Sequence, residues 1–195
     1  AFNLAFKDFL LDCYWDKQTY IDLLKISGGL NRIIYYRNIK NLNLTDDLCT
    51  KIQSRKSFYY KKLVLSGNIK VRSGVNRLIK ELASFDIKQF IVTTSGKESL
   101  EPFLGTSLSN CQKFFSDIIT FENVKRHKPF PDAYNLAVKL SNFSSQNCLA
   151  IEDSTIGIEA AKAAKINCLL TLPTWLSNYA EITKKANACV DSLGD

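Results

Sequence analysis

From Phe2 to Gly67 the apolar residues recur at helical spacing. Phe2, Phe6, Phe9 and Leu10 share one helical face. After Trp15, the residues Tyr20, Leu23 and Leu24 repeat the pattern as far as Gly28-Gly29, a pair that reads as a helix stop. Ile33, Ile34 and Tyr36 predict a short helix. Thr45-Asp46-Asp47, a hydroxyl cap with an acidic first turn, opens a longer one through Ile52, Phe58 and Tyr59. No strand pattern interrupts this block, so residues 1–68 are predicted to form an all-helical domain. Beyond Gly67 the rhythm changes. Leu78, Ile79 and Leu82 mark a helix, and the run from Gln89 to Thr93 a strand that ends in Thr94-Ser95-Gly96. A helix near Lys97, a short strand at Asp117-Ile118-Ile119 and a helix from Asp132 to about Leu140 follow. Next come a buried strand at Leu149-Ala150-Ile151, a helix from Thr155 and a strand from Asn167 to Thr171. Strand alternating with helix predicts an α/β domain over residues 69–195, a parallel sheet with helices on both faces.

The most informative stretch is Ile151-Glu152-Asp153-Ser154-Thr155-Ile156-Gly157. Two carboxylates stand at the carboxyl end of a predicted strand, where open α/β sheets place their ligands. Ser154 or Thr155 caps the helix that follows, whose residues Ile156, Ile158, Ala160, Ala161, Ala163 and Ala164 permit close packing. Adjacent carboxylates in a crevice repel and call for a cation, and Mg2+ shared with a substrate phosphate is the simplest one. By spacing alone, a solvated acidic turn capping a helix explains the same residues equally well. Thr93, Thr94 and Ser95 offer hydroxyls and backbone N–H groups to an anion at a strand-to-helix turn. Lys128 lies beside Pro129 and Pro131, a point charge on a stiff mount.

Composition narrows the classes. No apolar run approaches the length that crosses a membrane. The net charge of +7 is spread along the chain without an aromatic-plus-basic motif, so it argues for anionic small molecules over nucleic acid. Cys13, Cys49, Cys111, Cys148, Cys168 and Cys189 show no metal-ligand spacing; Cys148, Cys168 and Cys189 sit beside or within apolar strand-like runs and read as small hydrophobes, which fits a reducing compartment. His127, the one histidine, reads as a loop residue rather than a ligand.

Together these motifs resemble the haloacid dehalogenase superfamily. Thr93 after its strand, Lys128-Pro129-Phe130-Pro131-Asp132-Ala133-Tyr134, and Glu152-Asp153-Ser154-Thr155-Ile156-Gly157 are similar to its second, third and fourth motifs. The helical part resembles the cap of the β-phosphoglucomutase-like branch. Trp15-Asp16, Gly28-Gly29, Arg72-Ser73-Gly74-Val75, Thr174-Trp175 and the stretch closing at Asp195 are most similar to the CbbY-type phosphatases. The resemblance implies a Rossmann-like core with a helical cap. It implies that Thr93 and Lys128 are catalytic, that Thr94 and Ser95 meet the transferring phosphate, and that Glu152 and Asp153 hold Mg2+. Arg32 and Lys56 would grip the distal part of the substrate. Leu30 stands where such proteins have lysine, and Lys165 where they have glycine.

The first motif of that family, Asp-x-Asp, supplies its nucleophile, and it occurs nowhere in these 195 residues. With no methionine either, the expectation is a fragment lacking a strand and loop of roughly 15–20 residues at its start. The function expected is a Mg2+-dependent sugar phosphate phosphatase. Its substrate would be a ketose bisphosphate such as xylulose-1,5-bisphosphate, a Rubisco inhibitor. A phosphosugar mutase shares every motif, and a catalytically dead binding module is the alternative outside enzymes. A monomer is expected, and the richness in Asn, Lys, Ile, Phe and Tyr points to an AT-biased genome such as a plastid's.

Overall fold

A computed structural model describes residues 1–174 and 179–194; Trp175 and Asp195, both used in the resemblance, lie outside the described residues. The chain divides into two compact units, Ala1–Ile69 with Glu98–Ser107, and Lys70–Lys97 with Leu108–Asp195. The segment Glu98–Ser107 thus joins the first unit although strands of the second flank it in sequence.

The first unit contains α1 (Phe2–Asp8), α2 (Lys17–Leu23), α3 (Gly29–Ile39) and α4 (Asp46–Leu65). Thr45 caps α4 by accepting the Leu48 N–H at 3.2 Å, and Asp16 caps α2 through Thr19 N–H at 2.7 Å. Two expectations change. Helix α1 stops at Asp8, and Leu10, in the left-handed region at φ 53°, is 93% exposed rather than on the apolar face. Gly28, at φ 84°, leads into α3 and does not end α2, which stops at Leu23. The core of this unit forms around Trp15, whose ring centre lies 4.5 Å from that of Phe2 and 5.1 Å from that of Phe6. Asn3 fixes it by exchanging two 2.9 Å bonds with the Trp15 backbone.

The second unit runs α5 (Val75–Ser84), β1 (Gln89–Val92), then past α6 (Lys97–Gly105) to β2 (Phe115–Ile119) and α7 (Asp132–Ser141). It continues with β3 (Leu149–Glu152), α8 (Thr155–Ala163), β4 (Asn167–Thr171), α9 (Ala180–Thr183) and β5 (Ala188–Val190). Strands β1 and β2 pair parallel, Val92 opposite Ile119, and β3, β4 and β5 form a second parallel sheet with Glu152 opposite Leu170. The α/β architecture agrees with the alternation read from the sequence. Strand β3, however, is not buried on both faces. Ala150 and Glu152 are 5% and 8% exposed, but Leu149 and Ile151 are 63% and 39% exposed, because successive side chains point to opposite faces and only one face of β3 is packed.

Helix α8 supplies the small side chains of the core. Ile158, Ala160, Ala161 and Ala164 pack with Tyr134, Cys168 and Leu170, whereas Ala163 is exposed. The helix ends at Lys165 with φ 59°, a left-handed conformation that glycine adopts freely and that costs lysine about 1 kcal/mol. The turn is closed by Ile166 N–H donating to Ala161 O at 3.0 Å. Among the described residues no helix is long and apolar enough to cross a membrane, and all six thiols are free.

Candidate active site

The carboxyl ends of β1 and β3 open on one cavity of about 360 Å³ within the second unit. Its lining includes Arg72, Thr93, Thr94, Lys128, Glu152 and Asp153. Five of the residues singled out in the sequence for the phosphate and its metal, Thr93, Thr94, Lys128, Glu152 and Asp153, are therefore brought together. Ser95 is exposed and is not part of the lining; its carbonyl accepts the Phe121 N–H at 3.1 Å.

Lys128 reaches the cavity from the segment before α7. It is 7% exposed, and Nζ donates to Val92 O at 2.9 Å and to Glu152 Oε1. One ammonium thus ties the end of β1 to the end of β3. Tyr134, on α7, donates its hydroxyl to the same Glu152 oxygen at 2.5 Å and lays its ring 5.0 Å from Nζ. The two adjacent carboxylates consequently have different surroundings. Glu152 ends the buried face of β3 and is paired with Lys128. The cation that relieves their crowding is, on one side, an amino acid. Burial and the Glu152 carboxylate raise the Tyr134 phenol well above its ordinary range.

Asp153 lies just past the strand. Among the described residues, no other residue donates a hydrogen bond to its carboxylate. Burial, and after it Glu152, raise its carboxyl above the ordinary aspartate range, while Arg72 and Lys128 pull the other way. An oxygen donor left open in a cavity suits a hard divalent cation. No group of three or more His, Cys, Asp and Glu side chains that could hold a metal occurs among the described residues. A single open carboxylate of this kind fits an ion whose other ligands come from a substrate phosphate. A raised carboxyl pKa contributes stability below the unfolded value, about 3.9, and that contribution is lost as pH rises through the folded value. At neutral pH ionised Asp153 thus destabilises the metal-free fold. Asp153→Asn is expected to unfold at higher temperature than the parent at pH 7, with the gap closing near pH 3; a gap that persists in acid would show another cause.

Thr93 ends the β1 run with its N–H donating to Ile119 O at 2.9 Å. Its Oγ1 accepts the Ser95 N–H at 3.0 Å, which leaves the hydroxyl proton to donate elsewhere. Ser154 caps α8, accepting the Gly157 N–H at 3.2 Å. Arg72, Thr171 and Tyr134 were given no role in the site from the sequence, although Arg72 stands in the quoted Arg72-Ser73-Gly74-Val75 stretch. Tyr134 stands within the quoted Lys-Pro motif and could have been found there. Arg72 meets Thr171 only across 99 residues of chain, a contact no local pattern reveals.

Arg32 and Lys56 lie in the first unit. Arg32 Nε donates to Leu23 O at 3.1 Å and Ile26 O at 2.9 Å, and the guanidinium lies 5.8 Å from the Tyr20 ring centre. Lys56 Nζ lies between Phe2 and Tyr60, 5.2 and 5.3 Å from their ring centres. Burial lowers the pKa of both, and the Arg32 charge lowers that of Lys56 further. The pair forms a half-buried cationic patch on aromatic walls.

The second unit is thus an α/β domain whose cavity lies at the strand ends, with Lys128 bound to Glu152 and Asp153 beside them. The haloacid dehalogenase-like hydrolase family profile matches residues 3–171, and the chain belongs to that family. Protein CbbY of Cupriavidus necator is 31% identical over 181 residues, 90% of this chain and 71% of that protein. A CBBY-like protein of Arabidopsis thaliana is 28% identical over 203 residues; the match covers 100% of this chain but spans only 63% of the relative's length. Among solved structures, a CbbY mutant from Rhodobacter sphaeroides in complex with xylulose-1,5-bisphosphate superposes with a TM-score of 0.86 at 26% identity, covering 100% of this chain and 86% of that one. A β-phosphoglucomutase from Clostridium difficile gives 0.78 at 25% identity, covering 98% and 81%.

Proposed function

We propose that the complete protein is a Mg2+-dependent phosphatase of sugar phosphates, acting on a ketose bisphosphate such as xylulose-1,5-bisphosphate. The observation that carries this reading is Lys128, a buried ammonium fixed where β1 and β3 end, in one cavity with Thr93 and Asp153. The bisphosphate is supported by the ligand of the Rhodobacter sphaeroides protein. A plastid is proposed as its location on composition alone.

Each residue has a role in this reading. Lys128 neutralises the phosphoryl group and the carboxylate that attacks it. The Thr93 hydroxyl donates to a phosphoryl oxygen, and the backbone at Thr94 completes the cradle. Asp153 would hold Mg2+, which when bound supplies charge to the phosphoryl oxygens. Glu152 holds Lys128 in place. The reaction also needs an attacking carboxylate, and none of the cavity residues named here is given that role. Its oxygen bonds to phosphorus as the bond to the sugar oxygen breaks; that oxygen takes a proton, and water then releases inorganic phosphate.

The test is phosphate release by the complete protein from xylulose-1,5-bisphosphate in Mg2+, with sugar monophosphates alongside. Asp153→Asn is expected to lower kcat/KM by about 100-fold or more. If the complete protein releases phosphate from none of them, the phosphatase reading is abandoned. Isomerised sugar phosphate without free phosphate would mark a mutase.

A further inference from the structure

The Asp153 carboxylate has an orientation problem. No neighbouring residue of the described chain donates to it, so its direction is set by the peptide that carries it. That peptide is held from the adjacent strand. Glu152 pairs with Leu170, which puts Thr171 one residue further along β4, beside Asp153. Thr171 is 5% exposed, and its hydroxyl donates to Glu152 O, the carbonyl of the Glu152–Asp153 peptide, at 3.3 Å. A hydroxyl has one proton to give, and which way it points depends on what it accepts. Here it accepts Nη1–H of Arg72 at 2.9 Å, which turns its proton towards Glu152 O. Arg72 is itself anchored by Nη2 donating to Leu172 O at 2.6 Å, and Leu172 N–H donates to Val190 O at 3.0 Å. The guanidinium therefore sits across the ends of the sheet, and its charge also favours ionised Asp153.

The geometry points to Arg72 and Thr171 as positioning residues for Asp153: a relay from guanidinium to hydroxyl to carbonyl fixes the peptide plane from which the carboxylate projects. This rests on the reading of Asp153 as a ligand of the divalent cation. Neither residue would touch the ion. Both act as outer-shell partners, whose loss typically weakens metal binding about 10–100-fold.

The test is Mn2+ binding to the complete protein, followed by the free-ion electron paramagnetic resonance signal, so that no turnover is needed. Thr171→Val keeps the shape and removes the hydroxyl; Thr171→Ser restores it. Valine is expected to weaken Mn2+ by about tenfold or more, and serine to return affinity to near the parent value. Arg72→Gln, the second variant should valine impair folding, is expected to weaken Mn2+ similarly. Arg72→Gln combined with Thr171→Val should be little worse than either alone, because one relay is cut. Unchanged affinity in Thr171→Val or in Arg72→Gln overturns the relay while leaving the phosphatase reading intact. Asp153→Asn separates the two failures. If Asp153→Asn binds Mn2+ as the parent does, or if the parent binds none, Asp153 is no metal ligand, and the relay falls together with that reading of the site.

Discussion

Lys128→Met is expected to abolish phosphate release and to cost the fold about 3–5 kcal/mol, the range for removing one partner of a buried ion pair. Both partners are almost inaccessible, at 7% and 8% exposure, so water cannot replace the missing ammonium around Glu152. Methionine fills much of the volume of the lysine stem, which keeps the loss electrostatic rather than a cavity effect. Tyr134 still donates to Glu152 Oε1, but a phenol brings no charge. Stability is read from urea unfolding of the parent and variant at pH 7. The companion Lys128→Met with Glu152→Gln should recover most of the lost stability, since a neutral amide no longer needs a cation, yet it should recover no activity. A single variant as stable as the parent would mean that the pair is not buried in solution. Recovery of activity along with stability would remove Lys128 from the chemistry.

What the sequence disclosed and what it hid follow from the range of the interactions. Strand β4 was readable from Asn167 to Thr171, because its apolar run is bounded by turn residues. The cap of α8 was readable as Ser154 or Thr155, because capping spans three residues, and the structure gives it to Ser154. Strand β5 escaped: it has three residues, two of them exposed, and no periodicity can register in so short a span. Leu10 was misplaced because its apolar character fits a helix that had already ended. Within the site, Thr93, Lys128, Glu152 and Asp153 were visible as motifs, but the partition of labour between the two carboxylates was not. It depends on Lys128, 24 residues away, and on Tyr134 on another helix. Strand geometry held a hint, since alternation puts Glu152 on the face of buried Ala150. The burial of that face, however, is a tertiary fact.

Gly157→Ala carries the second large effect, and its sign runs against propensity. Gly157 lies in the first turn of α8, where alanine in place of glycine would ordinarily gain about 1 kcal/mol. A Cβ built there would lie 1.9 Å from Glu152 Oε2 and 2.1 Å from its Cδ. The glutamate has little room to retreat, because Lys128 and Tyr134 hold its other oxygen and Ser154 Oγ is 3.5 Å from Oε2. Overpacking of this kind costs roughly 1–3 kcal/mol, and displacing the carboxylate weakens the Lys128 pair as well, so the net change is a loss. The variant should unfold at lower urea concentration, and in the complete protein it should depress kcat through Lys128. Glu152→Asp in the same chain draws the carboxylate back by one methylene and should restore part of the stability. Glycine at 157 is then explained as the space in which the glutamate head sits. A Gly157→Ala protein more stable than the parent would show instead that Glu152 is free to move, and with it the ammonium on which the proposed chemistry depends.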